Sequence, residues 1–176
     1  MKIDKIIVGL GNDGIEYENT RHNIGFIMLD MLAKENKISF QNKKYAHIGI
    51  YFYKNITSLL LKPTTYMNKS GVAVKFWAEV YKIPAERILV LVDDLNLPFG
   101  TLRYRLKGSC GGHNGLRNIE EQIGENYPRI KFGIGSDFNP GRQSDFVLEN
   151  FKTTEKEIIK EKEQEIITKI KTSFFT

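Results

Sequence analysis

Three histidines, one cysteine and a set of asparagines at turn positions hold most of the side-chain chemistry in this 176-residue sequence. His22 stands in the run Thr20-Arg21-His22-Asn23, and Asp93 follows the most apolar stretch of the chain, residues 88–92. Imidazole titrates nearest neutrality of all side chains, which suits it to proton transfer. A carboxylate emerging at the carboxyl edge of a sheet can orient such a ring and stabilise its protonated form. Taken singly, His22 reads as a surface or capping histidine and Asp93 as a turn residue. Taken together they form a general-base pair that needs no side-chain nucleophile.

The remaining polar set is asparagine-rich. Asn12, Asn68 and Asn114 each fall near a junction between a loop and a regular element. An uncharged amide offers two donors and an acceptor, which suits a peptide backbone or an ester carbonyl and its developing oxyanion. Asparagine is also common at turns and caps, so each one alone carries little weight.

Two glycine-rich loops invite a phosphate reading. Gly9-Leu10-Gly11-Asn12-Asp13-Gly14 fits the G-x-G-x-x-G spacing. Dinucleotide binding needs those glycines to open a helix at once and an acid about 20 residues on at a strand end. Here the helical pattern waits until Thr20, and Asp30 and Glu35 fall inside it, so a plain tight strand-to-loop turn is favoured; a third reading has the glycines present Asn12 at the carboxyl end of the strand. The second loop, residues 108–115, precedes a helix and could hold an anion on backbone N–H groups. It lacks the Lys-Ser/Thr ending of a nucleoside-triphosphate loop. Arg103, Arg105 and Lys107 lead into it, and with Lys131 they suggest contact with a phosphate backbone. Cys110 has no evident activating base and reads as inert; His47 reads as structural or exposed.

These residues need a scaffold. Residues 5–9, 48–53, 57–61, 88–92, 100–106 and 130–134 have strand patterns, with Lys54-Asn55 as a hairpin turn. Helical patterns cover 20–36, capped by Thr20, and 68–82, with Val72, Phe76, Trp77 and Val80 inward. Two more cover 113–123 and a charge-dense C-terminal segment opened by a Thr154/Glu157 capping box. In the 100–106 strand, Leu102, Tyr104 and Leu106 should face inward and Arg103 and Arg105 outward. The alternation predicts a single domain over residues 1–176, a three-layer α/β/α fold with a twisted mixed sheet flanked by helices.

Composition sets the limits. Hydrophobic residues are 41% and charged residues 27%, ordinary for a globular chain and against disorder as the main state. Lys and Arg number 26 against 21 Asp and Glu, a modest excess toward an anionic partner. There is no bilayer-spanning apolar run and no signal-like start. A single cysteine excludes an internal disulfide and a multi-thiolate metal site, so a cytoplasmic setting is expected.

Four strings in order then resemble one family. Val8-Gly9-Leu10-Gly11-Asn12 with Tyr17 and Thr20-Arg21-His22-Asn23 is similar to the opening of bacterial-type peptidyl-tRNA hydrolases. Pro63-Thr64-Thr65-Tyr66-Met67-Asn68-Lys69-Ser70-Gly71 is similar to that family's second signature. Asp93-Asp94-Leu95-Asn96-Leu97-Pro98 and Gly111-Gly112-His113-Asn114-Gly115-Leu116 complete the set. The resemblance implies hydrolysis of the ester between a peptide and the 3′ ribose of tRNA, by a monomer without metal or organic cofactor. It implies that His22 is the base, that Asp93 supports it, and that Asn12 helps tell N-blocked peptidyl-tRNA from free aminoacyl-tRNA. Tyr17, Tyr66, Met67, Asn68 and Asn114 match positions lining the peptide and 3′-end cleft. Arg103, Arg105 and Lys131 fall where relatives carry basic residues for tRNA phosphates. Asp13, where the family usually has proline, Asn96, in place of a common aspartate, and Ser136-Asp137 depart from its pattern. The rival expectation is an RNA-binding module without catalysis, and a dinucleotide-dependent oxidoreductase ranks third.

Overall fold

A computed structural model describes residues 1–176. Seven strands form one mixed sheet in the order β2-β3-β4-β1-β5-β7-β6. They are β1 (Lys5–Gly9), β2 (Gln41–Lys43), β3 (Ala46–Tyr53), β4 (Ile56–Pro63), β5 (Ile88–Asp94), β6 (Leu102–Arg105) and β7 (Arg129–Gly133). The central run β4-β1-β5-β7 is parallel, and β2, β3 and β6 pair antiparallel at the two margins. β1 and β5, buried on both faces, are continuous apolar runs, as central parallel strands must be. Lys54 and Asn55 both take positive φ (51° and 62°), the hairpin turn expected between β3 and β4.

Helices α1 (Ile24–Glu35), α4 (Gln143–Leu148), α5 (Thr153–Glu161) and α6 (Glu163–Phe174) cover one face, and α2 (Ser70–Tyr81) and α3 (Asn114–Ile123) the other. The sheet is therefore sandwiched by two helical layers, as the sequence pattern implied.

Glycine fixes how α1 approaches the sheet. A Cβ on Gly25 would lie 2.3 Å from the Leu91 carbonyl oxygen and 2.5 Å from the Leu10 nitrogen. One on Gly9 would lie 2.4 Å from the Gly25 oxygen. The first turn of α1 thus rests on the backbone ends of β1 and β5, a contact with no room for a methyl group. Gly25→Ala is expected to lower unfolding free energy by about 3 kcal/mol through overpacking of immovable backbone. Urea titration would show it, and an unchanged midpoint would refute this account of the contact.

Several local expectations shift. Thr20 precedes a 3₁₀ turn, Arg21–Asn23, rather than α1 itself, and its hydroxyl donates to the Tyr17 carbonyl. The inward face of α2 is Ala73, Val74, Trp77 and Ala78, while Val80 is half exposed. Gly71 explains the rotation: a Cβ there would meet the Asn118 oxygen at 2.3 Å, so α2 turns its small residues toward α3. Leu106 lies beyond the end of β6 and is exposed. The C-terminal segment is two helices, α5 and α6, and its cap is not Thr154/Glu157: the Lys152 N–H donates to Glu155 Oε1 at 2.8 Å. α4 has no counterpart in the sequence reading.

Candidate active site

Strand β5 delivers Asp93 at the carboxyl edge of the sheet, next to the end of β1. The 3₁₀ turn ahead of α1 then hangs His22 over it, because Gly25 seats α1 against Leu91. His22 Nδ1 lies 2.9 Å from Asp93 Oδ2, and the two residues are 71 positions apart. Their side chains are 13% and 2% exposed. A carboxylate only accepts hydrogen bonds, so Nδ1 carries the proton and Nε2 keeps a free lone pair.

The other carboxylate oxygen is also taken. His113 Nε2 lies 2.9 Å from Asp93 Oδ1. His113 is the N-cap of α3, where its Nδ1 accepts from the N–H groups of Gly115 and Leu116 at 3.1 and 3.3 Å. That cap fixes the tautomer: Nδ1 accepts, so Nε2 donates to Asp93. The two imidazoles stand 4.9 Å apart, tilted by 48°. His113 is the site residue that reading the sequence missed. Its position directly before a helix, after two glycines, was a capping signal disguised by an unusual capping residue.

Burial alone would push the Asp93 carboxyl up. Electrostatic interaction with His22 and His113 and the hydrogen bonds both rings donate outweigh it and hold Asp93 well below the ordinary carboxylate range. Burial alone would likewise push His22 down, but the charge of Asp93 and its hydrogen bond prevail, so His22 titrates above an ordinary imidazole.

Ligand atoms of His22, Asp93 and His113 lie within 4.8 Å of one another, close enough to suggest a transition-metal site. The tautomer argues otherwise. With Nδ1 committed to the α3 cap, His113 Nε2 bears its proton and has no lone pair for a metal.

His22, Asp93, His113 and Asn114 line a cavity of about 550 Å³ together with Lys131, Gln143, Ser144 and Val147. Asn114 is exposed in the first turn of α3, and its Oδ1 accepts from Arg117 at 3.2 Å. Asn12 lines a different hollow, of about 450 Å³, with Asp13 and His47, which are paired at 2.9 Å. It is clamped on three sides: its N–H donates to Asn23 Oδ1, its carbonyl accepts from Asn23 Nδ2, and its Oδ1 accepts from the Met67 N–H at 2.8 Å. With that oxygen committed, Asn12 has only amide N–H left to offer.

Met67 links Asn12 to the start of α3: its N–H donates to Asn12 Oδ1 and its sulfur packs on Gly115. A Cβ on Gly115 would lie 2.6 Å from Met67 Sδ and 3.1 Å from a ring carbon of His113. Tyr66 beside it holds φ 65° and ψ 158°, a strained conformation for a bulky residue, and is exposed. Asn68 is exposed on the same turn, and Tyr17 is half-buried. Tyr17, Tyr66, Met67 and Asn68 line neither hollow. Arg103 and Arg105 are exposed on β6, with Arg103 directly opposite Lys131. Lys131 reaches Asp94 at 3.4 Å.

The glycine loop after β1 does not open a helix. Its continuation is a 3₁₀ turn, Ile15–Tyr17, and α1 begins at Ile24, so the dinucleotide reading fails. A buried carboxylate paired with an imidazole at the edge of a cleft is an arrangement suited to proton transfer in a hydrolase.

The chain matches the family model described as peptidyl-tRNA hydrolase over residues 6–175. It is 55% identical over 151 residues to the peptidyl-tRNA hydrolase of Cytophaga hutchinsonii, covering 85% of this chain and 80% of that one. It is 52% identical over 157 residues to that of Porphyromonas gingivalis, covering 89% and 85%. The crystal structure of peptidyl-tRNA hydrolase from Acinetobacter baumannii superposes with a TM-score of 0.91 at 36% identity, covering 99% and 90%. The chain belongs to the peptidyl-tRNA hydrolase family.

Proposed function

We propose that this chain hydrolyses the ester joining a peptide to the 3′ ribose of tRNA, with His22 as the general base. The observation that carries the reading is the 2.9 Å bond from His22 Nδ1 to a buried Asp93, which leaves Nε2 free toward the cleft. Nε2 takes a proton from water as its oxygen attacks the ester carbonyl. The imidazolium then formed is stabilised by Asp93. Asn12, with only N–H to offer, donates to the oxyanion of the tetrahedral intermediate. Collapse breaks the bond to the ribose oxygen, which recovers the proton from His22, and the peptide leaves as a carboxylic acid. Asn114 shares the cleft with His22, and Tyr17, Tyr66, Met67 and Asn68 extend the surface toward the peptide and the tRNA end. None of these steps calls on a metal or an organic cofactor.

Residues 1–176 work as one domain in this reading, in a cytoplasmic monomer. No helix is long and apolar enough to cross a membrane.

Incubation with N-acetyl-aminoacyl-tRNA tests the reading: release of the N-acetyl amino acid supports it, and binding without release leaves an RNA-binding module. Arg103, Arg105 and Lys131 would meet tRNA phosphates. Removing the charge at Arg103 or Arg105 is expected to lower the slope of log affinity against log salt by about 1 each. It should weaken tRNA substrates while sparing short nucleotide-peptide esters. Equal losses on both substrates would remove this strip from the tRNA surface.

A further inference from the structure

Arg21 is 2% exposed, yet it is a permanently charged side chain adjoining the proposed base. Its guanidinium gathers α4, the segment after it and the first turn of α5. Nη1 donates to the Phe146 carbonyl at 3.2 Å and to Glu149 Oε2 at 3.1 Å, and Nη2 donates to Glu155 Oε1 at 3.1 Å. The guanidinium carbon sits 4.1 Å above the Phe146 ring. The backbone follows the same path. Arg21 N–H donates to the Glu149 carbonyl, Phe151 N–H donates to the Asn19 carbonyl, and Thr20 bridges Asn150.

The turn that holds His22 has its own supports: Asp93 fixes His22, Asn12 fixes Asn23, and Leu10 and Leu91 seat Gly25. α4 is six residues long and lacks a side-chain bond at its N-cap; Phe146 anchors it in the core, and Gln143, Ser144 and Val147 line the same cavity as His22. We propose that Arg21 is a positioning residue that clamps α4 onto the cleft and so shapes the surface that holds the substrate. The proposal rests on the hydrolase reading for its kinetic consequence alone.

Two variants test it. Arg21→Lys keeps the charge and loses the fork that reaches two carboxylates and a carbonyl at once. Glu155→Gln keeps an oxygen for the Lys152 N–H while removing one charge from the Arg21 cluster. For N-acetyl-aminoacyl-tRNA, KM should rise about tenfold in Arg21→Lys and about threefold in Glu155→Gln, with kcat within about twofold of wild type. Amide hydrogen exchange should quicken over residues 143–151 and stay unchanged in β1 and β5. An unchanged KM, even with a lower melting temperature, would make the cluster merely structural and overturn the proposal. So would a fall in kcat with a displaced pH inflection, which would place the effect at His22. Should wild type release no amino acid, the hydrolase reading falls while exchange over 143–151 still decides the clamp: faster exchange upholds it, and unaltered protection defeats it.

Discussion

His22→Ala is expected to lower the rate of ester hydrolysis by about 10²–10⁴-fold, the usual contribution of a positioned general base. Circular dichroism should remain native, because His22 is a partly exposed residue on a turn that Gly25 and Asn23 hold in place. The wild-type profile carries the sharper test. The base works only when neutral, so the rate climbs as pH passes upward through the His22 pKa. Asp93 holds that pKa above the ordinary imidazole value of about 6.5, and the rising limb should lie correspondingly higher. A flat profile, or full activity in the alanine variant, would remove His22 from the chemistry.

Asp93→Asn should be nearly as damaging, by about 10³-fold or more, for a reason of geometry. His113 must donate from Nε2, because its Nδ1 is occupied by the α3 cap. The amide oxygen of the new asparagine therefore turns to His113, and its N–H faces His22 Nδ1. That contact favours the tautomer with the proton on Nε2, a donor where a base is required. The inflection of the residual activity should fall below that of wild type, since burial still disfavours the cation and the countercharge is gone. An inflection that rises, or a rate left intact, would refute the pairing.

The same pair links stability to pH. His22 has a raised folded pKa, so its contribution is complete below the unfolded value and is lost as pH rises through the folded one. Asp93 has a depressed folded pKa, so its contribution is present above the unfolded value and is lost as pH falls through the folded one. The pair therefore stabilises the fold most on the acid side of neutrality, below the pH at which it would be most active.

The sheet was legible because apolar runs such as Ile88–Val92 have one buried solution, and Lys54-Asn55 has one turn to make. His22 and Asp93 were legible because the topology sends strand ends and loops to one edge. The rest depended on contacts outside any local window. Val72, Phe76 and Val80 have helical spacing, yet Gly71 against Asn118 turned α2 to another face. His113 was hidden because its role is shared between a cap and a carboxylate 20 residues away. α4 was hidden because a six-residue helix has too few apolar repeats to announce itself, and what holds it is an arginine more than 120 residues upstream.

The placement of β1 governs how the molecule is made. β1 lies mid-sheet, between β4 and β5, is parallel to both, and is synthesised before either of them. It must wait unpaired until some 50 to 80 further residues have been synthesised, then join through long-range closures of the kind that fold slowly. During that interval Ile6, Ile7 and Val8 are bare, which makes β1 a segment in need of shielding from aggregation.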